Sequence, residues 1–313
     1  MSLLLASLVT TCGEAVAGDD PAAGEQSDAC VPAGPWPAAL LGCRNWIAFA
    51  PPPPFDPDRG IRADPDTIRA ALRQLHAEGW RGLITYASDP AQGLDVVPRI
   101  AKEVGFTSVI AGLFWFDDAQ LERERTAVLA QLQWIDGFVL GNEGLNFGRY
   151  GCDRLATEMD ALRSATGRAV LTNEPLNQYL DNGLCPARLI ALGDAVLANV
   201  HPWWAAIRSP AQATAFVADA VRQLRSRAGS RAVILKEVWW PTAGEAGASE
   251  SAQREFFAAL AASNAPFVWG EAYDQPWKAR NEGLFGAHWG LHTAQRAPKT
   301  IIAELASTYR AHY

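Results

Sequence analysis

Short apolar runs alternate with longer Ala-, Leu- and Arg-rich stretches along this chain, and that alternation leaves few folds open. The apolar runs read as strands at Trp46–Ala50, Gly82–Tyr86, Ser108–Leu113, Gly137–Gly141, Ala169–Thr172, Ala195–Val200, Ala232–Lys236 and Phe267–Glu271. Their interiors are mostly Val, Ile, Leu, Phe and Ala, which suits parallel strands covered on both faces. Stretches with helical spacing follow at Asp64–Glu78, Val96–Val104, Asp118–Gln133, Cys152–Ala165, Ala187–Leu192, Pro210–Arg227, Glu250–Ser263 and Lys299–Tyr309. Eight β-then-α units predict an α/β fold, a single (β/α)8 TIM barrel spanning 36–313. An open nucleotide-binding sheet would carry a Gly-rich loop after its first strand. Pro51, Pro52, Pro53 and Pro54 stand there instead, and they have no backbone N–H to offer a phosphate.

Residues 1–35 read differently. Leu3, Leu4, Leu5, Ala6, Ser7, Leu8 and Val9 form a short apolar stretch, followed by small and polar residues. The pattern is that of a signal peptide and linker without a basic start, since the first Lys or Arg is Arg44. A secreted or periplasmic protein is expected. Val9-Thr10-Thr11-Cys12 faintly resembles a lipoprotein cleavage box, which would make Cys12 an anchor. With Cys12 set aside, Cys30, Cys43, Cys152 and Cys185 remain. Of the three possible connectivities, Cys30–Cys43 with Cys152–Cys185 is favoured. A formal net charge of −7 argues against nucleic acid as a partner. No apolar run approaches the length of a transmembrane helix. No C-x-x-C or His-rich spacing points to a metal, and neither metal nor organic cofactor is expected. The expected state is a monomer.

The chemistry of such a barrel sits at the C-terminal ends of its strands. Strand 4 runs out into Gly141-Asn142-Glu143, and strand 7 into Lys236-Glu237-Val238-Trp239-Trp240-Pro241. These two ends face each other across a barrel mouth. A carboxylic acid and a carboxylate so placed are the pair that cleaves a glycosidic bond. Glu174 also follows a strand and an Asn, and is a second candidate carboxylate. Twelve tryptophans are many for 313 residues, and flat rings suit the apolar faces of sugars. Trp115, Trp203, Trp239, Trp240 and Trp277 fall at strand ends and are candidate sugar contacts, as are Asn142, Tyr86, His201 and Tyr273. Each ring has an alternative role in core packing, and Lys236 and Lys278 have one as ion-pair partners of carboxylates.

At these residues the chain resembles glycoside hydrolase family 17, in its bacterial branch. Leu140-Gly141-Asn142-Glu143 is similar to that family's Val-Gly-Asn-Glu, and Glu237 to Gly244 to its Glu-Thr-Gly-Trp-Pro-Ser-x-Gly. Asn199-Val200-His201-Pro202-Trp203-Trp204 and Glu271-Ala272-Tyr273-Asp274-Gln275-Pro276-Trp277-Lys278 resemble two further blocks. Glu282-Gly283 and His288-Trp289-Gly290-Leu291 complete the match, adding Lys278 and Glu282 to the candidate sugar contacts. Trp239 stands where the family has Gly, His201 where it has Tyr, and Gln275 where it has Glu. The resemblance implies a retaining hydrolase of β-1,3-glucan, with Glu143 as acid/base and Glu237 as nucleophile. Two alternatives stay open: a β-1,3-glucan transglycosylase on the same site, and a non-catalytic glucan-binding barrel in which Trp239 fills the reacting-sugar subsite.

Overall fold

A computed structural model of the chain describes residue 32 and residues 34–263 and 265–305. The expected signal and linker segment, Cys12 and Cys30 lie outside the described residues. Seven parallel strands form one sheet in sequential order: β1 (Trp46–Phe49), β2 (Gly82–Thr85), β3 (Ser108–Leu113), β4 (Gly137–Asn142), β5 (Val170–Pro175), β6 (Ala195–Asn199) and β7 (Ala232–Glu237). Almost every strand residue is buried, because helices cover one face and the opposite strands the other.

The main helices are α1 (Pro65–Ala77), α2 (Val97–Val104), α3 (Asp118–Ala130), α4 (Cys152–Thr166), α5 (Pro186–Ala191), α6 (Pro210–Ala228) and α7 (Glu250–Ala262). Their starts are written locally. Asp64 accepts from the Thr67 amide at 2.8 Å, with Pro65 as the first helical residue. Asp117 caps α3 through the Gln120 amide at 2.7 Å, and Ser249 caps α7 through Ala252 at 3.0 Å. A last helix is described over Thr300–Leu305, and the remainder of the expected Lys299–Tyr309 helix lies outside the described residues.

The expected eighth strand is not formed as a strand. Phe267 makes an isolated parallel bridge to Leu235 of β7, and Trp269 makes one to Ile47 of β1. The Val268 amide donates to Leu235 at 2.9 Å, and the Trp269 amide to Trp46 at 3.0 Å. The segment therefore touches both edges of the sheet, and the Ala272 amide still donates to Ala48 of β1 at 3.0 Å, but no continuous strand forms. From Glu271 onward the backbone pairs with the chain's own later segment: the Leu291 amide donates to Glu271 at 2.7 Å, and Tyr273 bridges His292. The architecture is a curled, TIM-like (β/α) sheet. β5 runs further than its apolar core suggests, because Asn173, Glu174 and Pro175 pair with Leu197, Ala198 and Asn199.

Cys152 and Cys185 form a disulfide that joins the start of α4 to the start of α5. Cys43 is also disulfide-bonded. Closing a loop of this size restricts the unfolded chain. Cys152→Ala is expected to lower stability by about 2–4 kcal/mol, read as a lower urea midpoint. An unchanged midpoint would show that α4 and α5 hold each other without the covalent link.

Candidate active site

Two irregularities in strand register lie where the polar residues emerge. β4 slips against β5 between Val139 and Asn142, and β6 slips against β7 between Ala198 and Asn199. Such slips re-aim the side chains that follow. Gly141 has φ +79°, and a Cβ there would sit 2.0 Å from the Tyr150 hydroxyl, so only glycine fits. Glu143 itself adopts φ 57°, an uncommon conformation for glutamate. Its amide donates to the Asn173 carbonyl at 2.9 Å, which fixes the turn at the end of β4.

Glu143 and Glu237 meet with His201. One oxygen of each carboxylate and a ring nitrogen of His201 all lie within 4.8 Å of one another. Asn199 Nδ2 donates to Glu143 Oε1 at 2.8 Å. Lys236 Nζ donates to Glu237 Oε1 at 2.9 Å and to Asn142 Oδ1 at 3.0 Å. Asn173 Nδ2 donates to the same Asn142 oxygen at 2.8 Å. His201 Nε2 lies 3.4 Å from Glu237 Oε2. The three clustered side chains are close enough to share a cation, but the Lys236 ammonium already places positive charge on Glu237.

The two carboxyls are tuned in opposite directions. Burial, and then the charge of Glu237, push Glu143 above the ordinary carboxylate range. Burial would also raise Glu237. The Lys236 ammonium and His201, through charge and hydrogen bonds, outweigh it and hold Glu237 well below that range. A proton is thereby kept on one carboxyl and off the other, the arrangement that acid chemistry beside a nucleophile requires.

Glu174 has a different task. It is fully buried and accepts from the amides of Leu145 and Asn146 at 2.9 and 3.2 Å, and from the Tyr150 hydroxyl at 3.3 Å. It anchors the loop after β4. Burial pushes it up to about 7.

Of the expected sugar contacts, several gather at the pair. Tyr86 lies under Lys236 Nζ, 4.5 Å from its ring centre. Trp239 meets Tyr86 and His201 edge-on at 6.2 and 6.0 Å. Lys278 Nζ is 5.9 Å from the Trp239 ring and donates to the buried Glu271 at 2.8 Å. Trp277 is half-buried next to it, and Glu282 accepts from Trp289 Nε1 at 2.7 Å. The others are packing groups. Trp115 is buried and stacks on Tyr150 at 4.1 Å, bracing the loop that Glu174 anchors. Trp203 and Trp240 are buried against each other at 5.0 Å. Tyr273 is buried, and its hydroxyl donates to the Ala71 carbonyl in α1 at 2.9 Å. Sequence reasoning did not single out Asn199 or Asn173 as site residues. Their signal was a polar side chain closing an otherwise apolar strand.

A profile of the BtgE/BtgC glycoside hydrolase domain matches residues 53–290. The chain belongs to the BtgE/BtgC glycoside hydrolase family. A protein of Aspergillus fumigatus named "Probable beta-glucosidase btgE" is 28% identical over 246 residues, which are 72% of this chain and 42% of that protein. The chain thus spans less than half the length of this curated relative. A "Glucan 1,3-beta-glucosidase" of Arthroderma benhamiae is 25% identical over 241 residues, covering 69% of this chain and 77% of the relative. These relatives are fungal, so the matches do not fall in the bacterial branch that the C-terminal block resembles. The solved structure of a glycoside hydrolase family 17 β-1,3-glucanosyltransferase from Rhizomucor miehei superposes with a TM-score of 0.67 at 17% identity, over 85% of this chain and 97% of that one. At that identity the likeness is one of fold.

In this BtgE/BtgC domain Lys236 is the group that keeps Glu237 ionised. If an ionised Glu237 is what the activity requires, activity is expected to fall as pH drops through its lowered pKa. Lys236→Met removes the main opposing charge, so the acid limb of the kcat/KM profile is expected to move up by at least about one pH unit. An acid limb that stays in place would assign the tuning of Glu237 elsewhere.

Proposed function

We propose that this BtgE/BtgC domain is a retaining glycoside hydrolase acting on β-1,3-linked glucan, with Glu143 as general acid/base and Glu237 as nucleophile. The observation that carries this reading is the separation of the pair. Retaining enzymes hold their carboxyl groups about 5–5.5 Å apart, whereas inverting ones leave about 6.5–9.5 Å for a water. One oxygen of each carboxylate lies within 4.8 Å of the other, nearer than the gap that an inverting water needs, and this fits direct attack on the sugar. The names of the fungal relatives and the β-1,3-glucan chemistry of the Rhizomucor miehei enzyme support the choice of linkage.

In this mechanism Glu143 gives its proton to the glycosidic oxygen while Glu237 attacks the anomeric carbon. The C–O bond to the leaving sugar breaks, and a glycosyl ester to Glu237 forms. Glu143, now ionised, takes a proton from water as that water displaces Glu237. The Asn142 oxygen is taken by Asn173 and Lys236. Its amide nitrogen is therefore the group left to donate to the hydroxyl beside the reacting carbon. Trp239, Tyr86 and His201 wall the subsite. A barrel that only binds glucan has no use for two oppositely tuned carboxyls, so the non-catalytic reading loses ground here. Transfer to a second glucan chain uses the same pair and is the second reading, favoured by the fold shared with a glucanosyltransferase. Export is part of the proposal, supported by the Cys152–Cys185 disulfide. Among the described residues no helix is long and apolar enough to cross a membrane.

Glu143→Gln and Glu237→Ala are each expected to lower turnover of β-1,3-gluco-oligosaccharides by about three orders of magnitude or more, with the fold retained by circular dichroism, and with a lower melting temperature only for Glu237→Ala, which leaves the buried Lys236 ammonium without its carboxylate. Proton NMR of the first product should show the β anomer ahead of mutarotation. Near-wild-type turnover in either variant, or an α product first, would sink the assignment.

A further inference from the structure

Two phenylalanines stand out on the rim of the site. Phe116, just beyond β3, is 60% exposed, and Phe147, just beyond β4, is 61% exposed. Both rings face one cation: the Arg149 guanidinium carbon lies 5.2 Å from the Phe116 ring centre, 5.0 Å from Phe147 and 4.9 Å from the half-buried Phe114. Arg149 also donates to the Asn142 carbonyl at 3.3 Å. Among the described residues it forms no salt bridge, so most of its five N–H donors stay available.

This rim is built rigidly. The Phe147 amide donates to the Glu143 carbonyl at 3.1 Å, and the Arg149 amide to Gly144 at 2.8 Å. The buried Glu174 carboxyl takes the Leu145 and Asn146 amides of the same turn. Exposed phenyl rings lose the benefit of burial; the rigid turn holds Phe147 out of the core, and Phe116 follows the buried Trp115, whose amide donates to the buried Glu124 at 3.2 Å. Their position explains them. Glu143 must reach the oxygen between the reacting sugar and the leaving sugar, so the leaving sugar passes next to the turn that follows Glu143. A flat apolar surface beside a cation with free donors suits a pyranose ring, whose C–H face stacks on aromatics while its hydroxyls seek donors.

We propose that Phe116, Phe147 and Arg149 form a subsite that holds the sugar on the leaving-group side, first the departing glucan and then an incoming acceptor. The inference rests on the retaining reading above. An acceptor held there places a hydroxyl against the glycosyl ester. Its oxygen bonds to the anomeric carbon, its proton passes to Glu143, and the Glu237 carboxylate departs. The subsite thereby sets how often sugar, and not water, completes the cycle.

The test compares wild type, Phe116→Ala/Phe147→Ala and Arg149→Met, with Leu129→Ala on α3 as an exposed apolar control. Two substrates are used: a linear β-1,3-gluco-oligosaccharide, which fills the leaving-group side with sugar, and an activated aryl β-glucoside, which does not. The ratio of oligosaccharide to aryl-glucoside kcat/KM is expected to fall about tenfold in the double variant, with loss of products longer than the substrate. A ratio within about twofold of wild type, or a matched fall on both substrates, overturns the proposal. Wild type inactive on both would overturn the retaining reading instead. Calorimetric binding of the oligosaccharide in a Glu237→Gln background then decides the subsite by itself. Weaker binding in the double variant supports the platform, and equal binding removes it.

Discussion

Lys236 sits at the centre of the mouth with its ammonium sealed from water. A buried charge of this kind is costly unless paired and hydrogen-bonded, and losing one partner typically destabilises by about 3–5 kcal/mol. Its partners come from three parts of the sheet: Glu237 on β7, Asn142 on β4, and the face of Tyr86 just past β2. The ends of distant strands are drawn to one cation. Glu237 becomes ionised because of that cation, and the charge on Glu237 then raises Glu143. The opposite tuning of the two carboxyls thus follows from where one lysine is buried.

The residues that depart from the resembled family are accommodated by neighbours. Trp239 fits because Gly270 lies against it: a Cβ there would fall 2.7 Å from the indole. His201, at the position where the resembled family has Tyr, brings a ring nitrogen to 3.4 Å from Glu237. Gln275 donates to the Pro51 carbonyl at 3.1 Å and accepts from Trp277 at 3.0 Å. An ionised glutamate could make the second bond but not the first. The proline run after β1 has no amides to pair, so its fastening comes from such a donor on the facing segment.

Much of the fold is legible in the residues. Strands buried on both faces need unbroken apolar runs, and the runs from Trp46 to Glu237 all became strands. Phe267–Glu271 has the same composition, yet it bonds to β7 and β1 only through isolated bridges, and at Glu271 the backbone pairs with Trp289 and Leu291, contacts along the chain that composition does not encode. That Glu143 and Glu237 would come together was legible because position at a strand end is a local property. Whether a neighbouring ring faces sugar or core is not local. Trp115, Trp203, Trp239, Trp240 and Tyr273 all end their strands and are all buried, and only its neighbours, Tyr86 and His201, put Trp239 beside the carboxylate pair. Glu174 looked like Glu143 for the same reason, and only the amides it receives reveal an anchor.

The central claim is that Glu237, held ionised by Lys236, bonds covalently to the sugar. The direct measurement is trapping with an activated 2-deoxy-2-fluoro-β-glucoside carrying a 1,3-linked glucose, followed by peptide mass spectrometry. The account predicts one glycosyl adduct per chain on the peptide containing Glu237, absent in Glu237→Ala. A label on Glu174, Glu271 or Glu143, or turnover of natural substrate with no adduct formed, would contradict it.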